Sequence, residues 1–202
     1  CSRWLEFRRV LFRSIKMSNI EYEVKRQRKT LTTKEFYDRF SNFEVVQGYC
    51  RGCSRYNTNY SCSPLDIDIQ NYIESYDYID IVITQLFFNK EDYQAIYSPD
   101  ELNDILNNTF FIEKKKTVDI LLDEEKKYVK SECITGPCNY CRSDCKKEYD
   151  ECIHPEIRRY SLASLGIDSA KILKDLFNID LILIEGKLPK YLNNVSSILY
   201  SK

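Results

Sequence analysis

Seven of the nine cysteines in this 202-residue chain lie in two short segments, and thiol chemistry is the clearest chemistry that the sequence offers. The first segment has the spacing C-x2-C-x8-C and the second has the spacing C-x2-C-x3-C-x6-C. Their members are Cys50, Cys53 and Cys62 in the first segment and Cys138, Cys141, Cys145 and Cys152 in the second, with His154 shortly after. Cysteines clustered in this way are typical of thiolates that hold a metal or a metal cluster.

Thiolates are soft ligands, so they select zinc, copper(I) or iron–sulfur clusters rather than magnesium or calcium. Structural zinc sites usually take two cysteines from each of two separate C-x2-C elements. One loop can instead enclose a bulkier cluster with short irregular spacings, as ferredoxin-type runs do. The four-cysteine segment therefore favours a [4Fe–4S] cluster, with one or two clusters in the chain. Zinc is the alternative.

The three-cysteine segment leaves a fourth coordination position unassigned. Candidates are His154, Cys133 or a residue that the sequence does not identify. Alternatively, the position is open to a substrate, or all seven cysteines share one site. Cys133 stands apart from the clusters beside Ile134, which favours a place in the core. His154 is either a ligand, a hydrogen-bond donor to a cluster sulfur, or a turn residue.

Composition and motifs exclude several function classes. The chain has one histidine and a net charge of −1, so neither a histidine-based catalytic network nor a global attraction to nucleic acid is expected. It has no dinucleotide-binding, phosphate-loop, zinc-protease or hydrolase motif. No segment approaches the ~18 apolar residues of a membrane span. Clustered reduced thiols favour a cytoplasmic protein.

Sequence patterns predict an α+β fold with a single domain, in which a small sheet packs with several helices and carries two cysteine-rich metal-binding loops. We expect a helix from Thr32 or Thr33 that ends before Gly48, a short helix over 67–76 and a strand over 78–88. Ser98-Pro99 begins helical sequence that continues to about Lys130. The apolar run 179–184 predicts a second, central strand. Leu192, Val195, Ile198 and Leu199 have the spacing of a terminal helix.

The first sixteen residues differ in character from the rest, with five basic residues and one acidic residue. We interpret 1–16 as a non-native leader, such as translated adaptor sequence, and 17–202 as the single cysteine-rich metal-binding domain. A basic amphipathic targeting peptide is the alternative.

The second cysteine segment also resembles a known family. The stretches are GPCNYCRSDC from Gly136, CIHPE from Cys152 and SLASLGID from Ser161. They are similar to the GPC-x2-C-x3-C…C-x-HPE…LGID signature of uncharacterised prokaryotic proteins predicted to bind metal (domain of unknown function 2284). That family also has a C-x2-C…C-P-P element, which the first segment matches except at Ser63. The resemblance implies metal binding by the seven cysteines and supplies no reaction.

Three functions are consistent with these residues. The first is an iron–sulfur protein for electron transfer, or a redox accessory to a larger enzyme, which would require a redox partner protein. The second is a structural zinc protein that acts as an interaction module. The third is an enzyme that uses the open coordination position at the three-cysteine group. Whether the chain is an enzyme, and its oligomeric state, are left open by the sequence.

Overall fold

A computed structural model describes residues 15–17, 20–136, 138 and 151–202 of the chain. Its strands are Ile15–Met17 (β1), Ile20–Thr32 (β2), Tyr78–Phe88 (β3), Lys130–Ile134 (β4) and Tyr191–Ser201 (β5). Its helices are Thr33–Phe40 (α1), Phe43–Arg51 (α2), Ile69–Glu74 (α3), Lys90–Gln94 (α4), Pro99–Asn108 (α5), Phe110–Glu125 (α6) and Ser169–Phe177 (α7). The α+β fold predicted from the sequence is confirmed.

The strands form one sheet in the order β1-β2-β3-β5-β4, and each neighbouring pair is antiparallel. The predicted strand over 78–88 is β3, the middle strand, with Ile83 opposite Gln27 on one side and Val195 on the other. Its side chains are buried along almost the whole strand. A strand that is covered on both faces has a nearly continuous run of apolar residues in its sequence. This is why the sequence predicts β3 well.

Helices cover both faces of the sheet. Alternate side chains of β3 point to opposite faces. Ile79, Ile81 and Ile83 belong to a core shared with α1, α3 and α7, whereas Val82 and Leu86 belong to two smaller clusters with α5 and α6. The end of the loop that leaves α2 lies on the same side of the sheet, because Leu65, Ile67 and Ile69 pack against the larger core.

Two predictions for the C-terminal part are wrong. Residues 179–184 form no strand, and Leu181 and Leu183 are exposed there. The segment 191–201 is strand β5 instead of a helix, and it pairs with both β3 and β4. Apolar residues spaced three and four apart occur on strands as well as helices. Asn and Ser in this segment are weak helix formers. Strands on both sides of 191–201 offer hydrogen-bonded pairing, which outweighs the local preference for a helix.

Other predicted boundaries also change. The helix expected to end before Gly48 is two helices, with a break at Ser41 and Asn42 and with Gly48 inside α2. The helical stretch expected to reach about Lys130 ends at Glu125, and β4 begins at Lys130. The sequence patterns above predict no element over 20–32, although Ile20, Tyr22 and Val24 alternate with polar residues and are buried in β2.

The predicted helix starts are confirmed. Thr32 caps α1 by accepting a hydrogen bond from the Glu35 amide at 3.2 Å. Ser98 and Glu101 cap α5 reciprocally: the Glu101 amide donates to Ser98 Oγ, and the Ser98 amide donates to Glu101 Oε2. Helix α3 lies inside the predicted range 67–76. No helix among the described residues is long and apolar enough to cross a membrane.

Strand β4 carries a carboxyl group, Glu132, whose pKa is raised. Burial raises the pKa of this carboxyl, although the Arg159 charge and a hydrogen bond from Tyr76 lower it. The Tyr76 hydroxyl donates to Glu132 Oε2 at 3.2 Å. A folded-state pKa above the unfolded value means that the carboxyl takes up a proton on folding, so stability from this group is lost as pH rises.

We therefore expect the free energy of unfolding of Glu132→Gln to increase relative to that of the parent as pH rises from below 4.5, the ordinary carboxyl pKa, towards neutrality. The glutamine keeps an oxygen that can accept from Tyr76 but does not titrate. Urea unfolding of both proteins from pH 4 to 7 measures the difference. A parent that gains stability over the variant across this range would contradict the expectation.

Candidate metal centre

The first cysteine loop begins in the last turn of α2. Cys50 lies on the helix, and the chain then turns so that the Cys53 amide donates to the Cys50 carbonyl at 3.0 Å. The Arg55 amide lies 3.5 Å from Cys53 Sγ and donates to it. An amide directed at sulfur stabilises the thiolate form, which is the form that binds metal.

Both ends of this loop are attached to the turn at residues 161–166. Near the start of the loop, the Cys50 thiol donates to the Ala163 carbonyl at 3.6 Å, and Gln47 Nε2 donates to the Ser164 carbonyl at 3.3 Å. Near its end, Ser63 Oγ donates to the same Ser164 carbonyl at 3.4 Å. The loop is thus held against the segment that follows the second cysteine group.

The LGID stretch of the resemblance has a structural role at this contact. Leu165 and Ile167 are fully buried in the larger core. The Asn42 amide donates to the Gly166 carbonyl at 2.9 Å, and the Asp168 amide donates to the Phe40 carbonyl at 2.9 Å. These bonds hold the α1–α2 junction, so this stretch sets the position of the helix that carries Cys50.

The three thiols of the first loop lie within electrostatic range of one another. Burial raises the pKa of the Cys62 thiol, and negative charge on Cys53 and Cys50 raises it further. A hydrogen bond from Asn59 and the Arg55 charge act in the opposite direction. A thiol with a raised pKa keeps its proton at neutral pH, so a metal would displace a proton on binding.

The second cysteine group is described in part. Cys138 and Cys152 are each partly exposed, while Cys141 and Cys145 lie outside the described residues. Cys152 lies near Tyr160: burial raises the pKa of that phenol, and the charge of Cys152 makes a smaller contribution. Among the described residues, no set of three or more Cys, His, Asp or Glu side chains is arranged to hold a metal ion. The assignment of all seven cysteines as ligands therefore stays a prediction.

The two remaining candidates for a fourth ligand differ in their surroundings. Cys133 is fully buried in β4 and packs with Val82, Leu121 and Ile198, as expected for a core residue. Burial also raises its pKa, which makes the thiolate unfavourable. The His154 side chain is about half exposed, and its Nδ1 lies 3.9 Å from Glu156 Oε1. Metal binding by His154 stays a prediction.

Residues of both cysteine segments line one cavity. It has a volume of about 600 Å³, and its lining includes Arg55 from the first loop and Cys138 from the second. Helix α6 supplies Lys114 to the wall between them. The sequence gives no signal for this contribution, because a run of lysines such as Lys114 to Lys116 is usually solvated surface.

The described residues form an α+β fold that carries cysteines from both short segments. The chain belongs to the family described as predicted metal-binding protein (DUF2284), whose model matches residues 40–199. The match includes both cysteine segments and confirms the family resemblance of the sequence motifs. No curated protein and no solved structure matches the chain.

Proposed function

We propose that this protein binds an iron–sulfur cluster of the [4Fe–4S] type and serves electron transfer, alone or as the redox accessory of a larger enzyme. The observation that carries the proposal is the family match over residues 40–199, which is described as predicted metal-binding and includes seven cysteines in two short segments. The cluster would be held by Cys50, Cys53 and Cys62, by Cys138, Cys141, Cys145 and Cys152, or by both sets, with His154 as a further candidate.

A bound cluster supplies one-electron redox chemistry at a potential that hydrogen bonds to its sulfurs and exposure to water adjust. The chain contributes two such effects at the first loop. The Arg55 amide donates to Cys53 Sγ, and the Arg55 side-chain charge opposes the burial that raises the pKa of Cys62. Both contacts would shift a cluster potential upwards by stabilising the more negative reduced state.

A structural zinc site is the second candidate. It is supported by the short Cys50–Cys53 spacing, with the Cys53 amide bonded to the Cys50 carbonyl, since paired cysteines two residues apart are usual zinc ligands. An enzyme that uses the open position at the three-cysteine group is the third candidate. Its substrate would complete the coordination of Cys50, Cys53 and Cys62.

Oxygen-free isolation separates the first two candidates. For the cluster we expect brown protein, iron and sulfide in similar amounts, and visible absorption that dithionite bleaches. Colourless protein with stoichiometric zinc would reject the cluster in favour of the zinc site.

Substitution then tests the ligands. We expect Cys62→Ser to lower the metal bound per chain by half or more, because serine is a poor ligand for a soft metal. Cys133→Ala is the matched control, since this buried residue packs in the core and should leave metal content unchanged. Equal metal content in the parent and both variants would remove the first loop from the proposal. To test the third candidate, the spectrum is followed as small thiol or carboxylate ligands are added to the parent and to Cys62→Ser.

A further inference from the structure

The cavity beside the cysteine segments is lined by both cationic and apolar side chains. Helix α6 and the two loops supply cationic side chains, among them Arg55, Lys114 and Arg159. Helix α6 also supplies the apolar side chains of Phe111, Val118 and Leu122. A concave space that presents both positive charge and apolar surface suits a molecule that itself has a charged end and an apolar body.

The cations of this cavity are only partly neutralised. Lys115 Nζ is paired with Asp119 at 2.8 Å, and both side chains are well exposed. Arg159 is paired with Glu125 at 3.0 Å. Within the described part of the chain, neither Arg55 nor Lys114 has an acidic partner at salt-bridge distance. Two positive charges therefore face the cavity without compensation from the described residues.

The Lys114 ammonium is also held away from water. It lies against the backbone of Gly136, where an added Cβ would be 3.0 Å from Lys114 Nζ. Burial lowers the pKa of Lys114, and the nearby Arg55 charge lowers it further. The same Arg55 charge acts on Cys62, so Arg55 lies within electrostatic range of both the first loop and the lysine. Arg55 is exposed and Lys114 is partly buried. Their like charges repel each other, and an anion between the two would relieve the repulsion.

We propose that this cavity binds a small organic anion, with a carboxylate or phosphate group between Arg55 and Lys114 and an apolar body against Phe111, Val118 and Leu122. The volume of about 600 Å³ lies within the range of small-molecule pockets. Guanidinium and ammonium groups are the usual partners of both anions. Because Cys138 lies in the same wall, the bound anion would be placed beside the second cysteine segment.

The test uses the full chain isolated without oxygen and ¹⁹F NMR with three probes. These are 4-fluorobenzoate, 4-fluorophenyl phosphate and the neutral 4-fluorobenzamide. We expect saturable binding of at least one anion, with a Kd at least ~10-fold lower than that of the amide, since charge-assisted hydrogen bonds are the strong contacts here. Lys114→Met and Arg55→Gln should each raise the Kd of that anion by ~10-fold or more. Lys115→Met is the matched control and should change it less than about twofold, because its charge is exposed and already paired.

Metal content is measured in every variant, which separates this proposal from the one above. Anion binding by a preparation that holds no metal supports the cavity while contradicting the cluster. Three results would overturn the cavity proposal. They are equal affinity for anion and amide, equal effects of Lys114→Met and Lys115→Met, or no anion binding by the parent together with loss of metal in Lys114→Met. The last result would mean that these cations balance the charge of the metal centre.

Discussion

Gly166→Ala is expected to lower the free energy of unfolding by about 2 to 5 kcal/mol, through backbone strain and overpacking together. Gly166 has φ of +69°, a conformation that residues with a Cβ rarely adopt. A Cβ built there would lie 2.7 Å from Phe43 Cδ2 and 3.0 Å from Phe43 Cα. The phenylalanine ring could turn aside, but its Cα is backbone at the start of α2 and can move only with the helix.

Urea unfolding measures the effect, and the chain offers a matched control. Gly186 has φ of +73° with nothing within 4 Å of a built Cβ. Gly186→Ala should therefore show only the backbone strain, about 1 kcal/mol. The difference between the two variants isolates the close approach of Gly166 to α2. Since α2 carries Cys50, we also expect Gly166→Ala to bind less metal than Gly186→Ala. Equal losses of stability in the two variants would contradict this account of the LGID stretch.

Asp80→Ala is expected to cost about 3 to 5 kcal/mol, because it removes one partner from a buried ionic network. Asp80 lies on β3 and its side chain is 7% exposed. Arg28 Nε lies 3.0 Å from Asp80 Oδ2, and the Thr30 hydroxyl donates to Oδ1 at 2.5 Å. The Arg28 guanidinium also pairs with Glu124 of α6. The network thus ties β2 and β3 to the helix that lines the cavity.

Thermal and urea unfolding of Asp80→Ala are to be compared with Asp119→Ala. Asp119 belongs to an exposed pair with Lys115 on the same helix, and such pairs contribute under about 1 kcal/mol. Asp80→Asn adds a second comparison, because it keeps the side-chain shape and a hydrogen-bond acceptor while removing the charge. If Asp80→Ala and Asp119→Ala lose similar stability, the buried network does not stabilise the fold as proposed.

Local sequence chemistry predicts the elements whose determinants lie within a few residues. Thr32 and Ser98 carry the cap signals of α1 and α5, and both caps form. The β-branched run of β3 predicts a strand because its two neighbours cover it along its length. Cysteine spacing is also local, so the candidate ligands and their family could be identified from sequence alone. That these cysteines share a metal site stays a prediction, because the described residues hold no set of three or more side chains arranged for a metal ion.

Tertiary structure decided the rest, because the deciding interactions join residues far apart in the chain. Local sequence favours a strand over 179–184 and a helix over 192–199, yet only the second segment meets ladders from β3 and β4 and becomes a strand. The same applies to the site. Arg55, Lys114 and Cys138 come from a loop, a helix and a second loop, and no spacing along the chain indicates that they line one cavity. The sequence determines which groups can bind a metal, while packing across the sheet determines which charges surround them.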